Sequence, residues 1–429
     1  MLLPHVENQI DRLWGSLTRF PDLNLYLYSY VRKEAVLSSH IEGTQSSLSD
    51  LLLYENAETP GVPLDDVREV SNYVAALNHG LKRLHGGFPL SLRLIREIHE
   101  VLLAKGRGSH AQPGEFRKSQ NWIGGTRPGN AAYVPPPPEY VMDCLGELED
   151  FLHQEDDSLP LLIRAGLAHA QFETIHPFLD GNGRVGRLLI TFMLTEKRML
   201  QEPVLYLSLF FRKHRHLYYD RLNGTRKDDG WKEWLDFFLQ GMRDTANQAV
   251  QTAVEIDRLF RSDREKIEQL GCGAPSALLI YRLAQANPIF SIKHAAREAK
   301  LSFPTASAAI QRLSDAEILQ ESSGKRRDLN QAYSQRQSNE LPHRFGMADP
   351  RIFSCYDYLI VLCFPSDAAS RLSPSYPAIP SPEFWSDYMR PDPGGSHFPQ
   401  PPLTAQKQGT SRENPYRSFS SSPGPPPAP

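Results

Sequence analysis

Apolar residues recur at three- and four-residue spacing through much of the first 260 positions, the signature of helices that bury one face. The spacing is clearest from Val31 to Leu53 and from Leu90 to Leu103, and it predicts a helical region over residues 1 to about 110, closed by Gly106-Arg107-Gly108. The character changes over 114–134. There Gly114-Glu-Phe-Arg-Lys-Ser-Gln-Asn-Trp-Ile-Gly-Gly suggests a strand pair with a glycine turn, ending at Tyr133-Val134 before the stop at Pro135–Pro138. Helical periodicity returns over 139–153 and 160–174. The run Leu188-Leu-Ile-Thr-Phe-Met-Leu is apolar on every side, as in a helix at the centre of a bundle. Further helices are expected over 203–260, with Trp231 and Trp234 as core residues.

Residues 273–328 read as a separate winged helix-turn-helix unit. Its expected helices are Ser276–Ala284, Ser291–Lys300 and a third from Phe303-Pro304-Thr305 to Ala316, with a wing tip at Glu321–Arg327. Eight basic against five acidic residues between 273 and 330 give it a modest positive charge, a weak nucleic-acid footprint, so DNA and protein stand as alternative partners. Residues 341–429 contain 18 of the 35 prolines. A segment of that composition buries too little apolar surface to offset ordering, so 329–429 is expected to be a disordered, low-complexity tail.

Composition narrows the function classes. The 429 residues allow two or three domains, and a formal net charge of −3 argues against a general nucleic-acid scaffold. Cys144, Cys272, Cys355 and Cys363 have no CxxC spacing and read as reduced thiols. The start, Met1-Leu2-Leu3-Pro4-His5, lacks a basic, apolar leader, and the late apolar run Tyr358–Phe364 is too short to span a bilayer. The expectation is a cytoplasmic chain without membrane contact.

The chemistry concentrates in His176-Pro177-Phe178-Leu179-Asp180-Gly181-Asn182-Gly183-Arg184-Val185-Gly186-Arg187. The glycines let backbone N–H groups converge on an anion at the start of the apolar helix, where the helix dipole adds positive charge. Asp180 suits a hard cation such as Mg2+. Arg184 and Arg187 are three apart and can face one anion. His176 is a candidate general base. A second motif, Ser38-Ser39-His40-Ile41-Glu42-Gly43, puts Ser38 and Glu42 on one helix face, with Gly43 suited to a helix end.

At these residues the chain resembles the Fic (Fic/Doc) family, whose signature His-Pro-Phe-x-Asp/Glu-Gly-Asn-Gly/Lys-Arg-x-x-Arg is matched throughout positions 176–187. The resemblance covers roughly residues 1–327. It implies a mainly helical Fic core over 111–260 with a β-hairpin flap, preceded by an inhibitory helix at about 29–43. It also implies transfer of AMP from ATP to a Ser, Thr or Tyr hydroxyl of a target protein, with release of pyrophosphate. In that scheme His176 deprotonates the hydroxyl and Asp180 positions Mg2+. Gly181, Asn182 and Gly183 hold the α- and β-phosphates, Arg184 assists, and Arg187 meets the γ-phosphate. Ser38, Glu42 and Gly43 match the inhibitory motif, with Glu42 pairing Arg187 where the γ-phosphate would bind. Gln120, Asn121, Trp122 and Ile123 would form the flap edge that pairs with an extended target segment. Ile123, Gly124 and Gly125 would approach the nucleotide, and Tyr218, the first of the pair Tyr218-Tyr219, would touch the adenine side. His169 reads as a packing histidine.

Fic proteins of this build usually complete the wing with an alternating strand and a short last helix. Here Leu329-Asn-Gln-Ala-Tyr-Ser-Gln-Arg-Gln stands in that place, and a frameshifted end is one account of it, which the encoding nucleotide sequence would test. Three rivals to AMP transfer stay open at this point: removal of AMP, transfer of another phosphate-containing group, and a DNA-binding regulator with a Fic sensing domain. Gly183 speaks against the lysine-bearing kinase variant. The target, the activating signal and the oligomeric state, a homodimer included, are not legible in the sequence.

Overall fold

A computed structural model of the chain describes residues 2–18, 20, 23–55, 64–106, 108–154, 159–322, 352–355 and 358. It is mainly helical, as the periodicity predicts. The first helices are α1 (Leu3–Leu17), α2 (Leu23–Ile41), α3 (Leu48–Glu55), α4 (Leu64–His85) and α5 (Leu92–Leu102). The apolar spacing over Val31–Leu53 is therefore divided. α2 stops at Ile41, the chain turns at Gly43 with φ +96°, and α3 begins five residues after that glycine. A left-handed residue of this kind is easily held by glycine and ends the helix. α5 starts where the Ser91 hydroxyl accepts from the Leu94 N–H, a helix cap written into the sequence.

The centre consists of α7 (Leu161–Ile175) and α8 (Asn182–Glu196), packed on each other. Residues 162–175 are all buried, as is almost all of α8. Helices apolar on every side can be stable only if other helices cover them. α4, α5, α6 (Val141–His153), α10 (Arg215–Lys227) and α11 (Trp231–Glu268) lie against one or both, and α9 (Ser208–Lys213) against α2. Trp234 is fully buried in this core, with its indole N–H donating to the Gly166 carbonyl at 2.9 Å; Trp231 is only half-buried. α1 runs along α11, which continues to Glu268 and carries the chain away from the core.

Beyond it come α12 (Ala274–Ala286), β1 (Ile289–Ser291), α13 (Ile292–Glu298), α14 (Phe303–Asp315) and β2 (Gln320–Ser322). Ser291 and Ser302 cap α13 and α14 by accepting from the His294 and Thr305 N–H groups. The three helices match the expected ones to within a few residues. The expectation for 329–429 needs correction at one place. Ile352–Ser354 forms a strand, β3, antiparallel to both β1 and β2, giving the order β1-β3-β2. Cys355 and Tyr358 just beyond it are buried, and the Tyr358 ring lies 5.2 Å from that of Phe260 on α11. A proline-rich average hid a short apolar stretch, Ile352-Phe353, able to fill the central place of the sheet. The wing tip from Ser323, residues 329–351 and residues 359–429 lie outside the described residues.

Candidate active site

The motif bridges α7 and α8. α7 ends when His176 adopts a left-handed backbone, φ 49°, with its N–H donating to the Phe172 carbonyl at 2.9 Å. Gly181, φ 79°, precedes α8. The loop between is held from three directions. Within it, the Asn182 side chain accepts from the Phe178 N–H and donates to the Phe178 carbonyl, both at 2.8 Å. From α5, buried His99 stacks on Phe178 with ring centroids 3.7 Å apart, and its Nε2 lies 3.0 Å from the Asp180 carbonyl. The Gly114 N–H donates to His99 Nδ1 at 2.9 Å, so Nε2 carries the proton and donates to Asp180. Burial holds the His99 imidazole neutral, pushing its pKa down to about 4.

From the 114–134 segment, buried Arg117 donates to the carbonyls of His176 (2.9 Å), Ile175 (3.3 Å) and Pro136 (2.5 Å). Its own N–H donates to the Pro177 carbonyl at 2.8 Å. His99 and Arg117 have no place in the motif, and sequence reasoning missed both. No sequence signal singles out Arg117, which stands between Phe116 and Lys118 just before the flap.

The expected strand pair reduces to one antiparallel bridge, Ile123 with Tyr133. Its residues are occupied elsewhere. Asn121 donates to the Phe178 and His176 carbonyls at 2.9 and 3.4 Å, so its side chain faces the motif loop rather than outward. Gln120 donates to the Asn121 and Pro135 carbonyls, and prolines 135–138 have no N–H to extend a ladder. Trp122 is 40% exposed, Ile123 is half-buried, and Gly124 and Gly125 lie exposed at φ 69° in the turn. These four remain accessible beside the loop. Tyr218 does not. It is 1% exposed, and its hydroxyl donates to His169 Nε2 at 2.9 Å, because His169 Nδ1 is committed to the Gly186 carbonyl. The Tyr218 ring packs among His169, Phe211 and Trp234, closed to solvent. His169, fully buried with its pKa pushed down to about 3, is the packing histidine expected.

The charged groups converge on the first turns of α8. Arg187 is buried and donates from Nε to Ser38 Oγ (2.8 Å), and from one terminal nitrogen to the Ser38 carbonyl (3.0 Å) and to Glu42 Oε1 (2.8 Å). Burial opposes the charge on both partners, yet their attraction outweighs it: the Arg187 pKa is raised and that of Glu42 lowered. Glu42 Oε1 also abuts Gly183 so closely that any Cβ at 183 would collide with it. The carboxylate thus lies at the N-terminal end of α8, where N–H groups without intrahelical partners favour an anion. The structure brings Ser38, Glu42, Gly183 and Arg187 together.

Arg184 is 3% exposed. It lies 3.5 Å from Glu69 and 3.6 Å from Asp180, with Nε and one terminal nitrogen lacking any hydrogen-bond partner. A buried guanidinium with unused donors is suited to an arriving anion. Asp180 is 46% exposed and accepts from the Gly181 N–H at 2.6 Å. Among the described residues no three His, Cys, Asp or Glu side chains form a metal cluster. One half-open carboxylate beside an anion-binding helix end fits Mg2+ that arrives with phosphates, since Mg2+ keeps several waters and takes few carboxylates. His176 Nδ1 is buried without a partner, while its side chain keeps 19% exposure, so the opposite ring edge meets solvent. Burial, and secondarily Arg226, pushes its pKa down to about 3, leaving a neutral base at pH 7.

Comparison with known proteins matches the same segments. Residues 2–82 match the Fic/DOC family N-terminal model, and residues 89–194 the Fic/DOC family model. Both motifs fall inside these spans. Relatives include the protein adenylyltransferase Fic of Aedes aegypti, 30% identical over 230 residues that make up 52% of this chain and 43% of that one. The same-named protein of Culex quinquefasciatus is 31% identical over 193 residues, 44% of this chain and 36% of that one. The chain therefore matches less than half the length of these relatives. A Fic family protein from Desulfovibrio desulfuricans superposes with TM-score 0.47 at 20% identity, covering 82% of this chain and 96% of the other. No helix among the described residues is long and apolar enough to cross a membrane.

Proposed function

We propose that this Fic chain is a protein adenylyltransferase held inactive by its own Glu42. It transfers AMP from ATP to a hydroxyl side chain of a target protein and releases pyrophosphate. The observation that carries this reading is the Glu42 carboxylate, seated between Arg187 and the start of α8 at a spot built for an anion. The relatives named as adenylyltransferases support the reaction class.

With Glu42 displaced, Arg187 grips the γ-phosphate and the first-turn N–H groups of α8 hold the α- and β-phosphates. Arg184 contributes its unused donors. Asp180 would hold Mg2+, which supplies charge neutralisation on the phosphates. Asn182 acts through its backbone and through pinning the loop, because its side chain is committed to Phe178. His176, neutral and open on one ring edge, accepts the proton of the target hydroxyl as the hydroxyl oxygen approaches the α-phosphorus. Gln120–Ile123 present a backbone edge for an extended target segment, with exposed Trp122 beside it. Residues 274–322 with β3 are assigned to partner docking, for DNA or protein.

The test is labelling with ATP tagged at the α-phosphate. Wild-type chain should incorporate little label, Glu42→Gly much more, and Glu42→Gly with His176→Ala none. Equal labelling of the last two would remove His176 from its role.

A further inference from the structure

Behind the reacting edge of His176 lies a carboxylate to which the motif gives no task. Glu173 is on the last turn of α7, three residues before His176, and its side chain is 7% exposed. Its Oε2 lies 4.0 Å from His176 Nδ1. Both His176 Nδ1 and Glu173 Oε1 are buried without a hydrogen-bond partner. Buried polar atoms rarely stay unpaired, and two of them on facing side chains are one small rotation from each other. The left-handed turn at His176 puts the ring beside the last turn of α7, and the carboxylate fits because position 186 on α8 is glycine; a Cβ there would approach Glu173 Oε1 to 2.6 Å.

We propose that Glu173 is the positioning residue for His176, accepting Nδ1–H so that Nε2 is left as the free base towards the target hydroxyl. The inference rests on the adenylyltransferase reading. In the transfer, the hydroxyl oxygen forms a bond to the α-phosphorus while the bond from that phosphorus to the oxygen bridging to the β-phosphate breaks. Pyrophosphate leaves with the electron pair, and the hydroxyl proton goes to Nε2. Glu173 takes no proton. It fixes the tautomer and balances the charge of the imidazolium formed, as a carboxylate behind a catalytic histidine does in other enzymes.

Charged groups from three other elements face this arrangement. Arg187 faces Glu173 from α8 and Arg226 from α10, and both favour its ionised form; Glu42, beyond α2, opposes it. Burial is the largest influence and pushes the Glu173 pKa up to about 7. Tyr218 and Tyr219, both on α10, are further titratable neighbours. The γ-phosphate that takes the place of Glu42 on Arg187 is also an anion, so Arg187 and Arg226 are the groups that keep the carboxylate ionised. The Glu173 carbonyl, which also faces the imidazole, accepts from Arg226 at 3.0 Å and is the competing orienter.

The full chain labelled with 15N-histidine tests this without turnover, His176→Ala identifying the His176 signals. The expected wild-type ring is protonated at Nδ1. Glu173→Gln should lower the pH at which His176 titrates and mix its tautomers. In the Glu42→Gly background, Glu173→Gln should lower kcat at least about tenfold, part of the ~10²–10⁴-fold that general-base catalysis supplies, with KM for ATP unchanged. Loss of activity should be accompanied by loss of the rate increase near pH 7, and Glu173→Asp should restore part of it. An Nε2-protonated wild-type ring overturns the proposal, even if the variant does not fold. So does a folded Glu173→Gln chain with unchanged His176 shifts and kcat, which would assign orientation to the main-chain carbonyl. If no chain transfers AMP, the ring-nitrogen result still decides, and the reaction assignment fails by itself.

Discussion

Glu42→Gln keeps the length of the side chain and removes its charge, which isolates what the carboxylate does for Arg187. In the structure Arg187 would lose one charge-assisted hydrogen bond of 2.8 Å and retain the two to Ser38. Breaking a fully buried ion pair typically costs about 3–5 kcal/mol. Glu42 is 32% exposed and Arg187 keeps other acceptors, so the lower figure for a charged hydrogen bond, about 2 kcal/mol, is the better expectation. For a folded region of this size that lowers Tm by about 4 °C without nucleotide. ATP should then close most of the gap. With Arg187 free for the γ-phosphate, a tenfold gain in affinity adds about 1.4 kcal/mol of ligand stabilisation at saturating ATP. The nucleotide-induced shift should thus be larger in Glu42→Gln than in wild type by about 3 °C. The pH dependence gives an internal control. The folded-state pKa of Glu42 is lowered, so its contribution is present above the unfolded carboxylate range near 4.5 and is lost as pH falls through the folded value. Differential scanning fluorimetry with and without ATP measures each quantity. A Glu42→Gln chain as stable as wild type, with an equal ATP shift, would refute both the ion pair's role and the competition with phosphate.

Three further outcomes follow from the same geometry. Stability should fall gently as pH drops from 6.5 to 4.5 and more steeply below, read by urea titration. His99, His169 and His176 are held neutral and lose stability as pH falls below 6.5, while Glu34 and Glu173, raised to about 7 by burial, lose it as pH rises from 4.5, offsetting part of the histidine slope of ~1.4 kcal/mol per proton per pH unit. Stability that stays level or rises as pH falls below 6.5 would contradict the buried-neutral histidines, and an equally steep fall across both windows would contradict the raised carboxyls. His99→Ala should destabilise the chain by about 3 kcal/mol, from a lost stacking contact and an unpaired loop carbonyl, and slow transfer; a neutral effect on both would show that the loop holds itself. Asp180→Ala should lower turnover more than ATP affinity and weaken the dependence on added Mg2+, and activity that survives excess chelator would remove the metal from the mechanism.

The site was legible in the sequence to the extent that its chemistry is local. Positions 176–187 form one loop and helix start, so their spacing implies their geometry, and Ser38 with Glu42 lies one helical turn apart. What the spacing could not give is the side chains that other elements send in. His99 and Arg117 are ordinary residues in sequence, and only the packing of α5 and the 114–134 segment on the loop makes them its clamps. The same tertiary demands turned Asn121 towards the loop carbonyls and enclosed Tyr218 among His169, Phe211 and Trp234. At the C-terminal end composition misled in the opposite direction. Window averages rich in proline concealed three residues, Ile352–Ser354, whose pairing with β1 and β2 is specified by strands thirty or more residues away in the chain.

The central claim is that one carboxylate closes a site otherwise competent for AMP transfer. The most direct measurement is incorporation of α-phosphate-labelled ATP into wild-type, Glu42→Gly and Glu42→Gly/His176→Ala chains at matched concentration, with mass spectrometry reading the adduct. The account predicts an AMP adduct that is faint in wild type, strong in Glu42→Gly and absent from the double variant. A folded Glu42→Gly chain that binds ATP yet labels no more than wild type would contradict it.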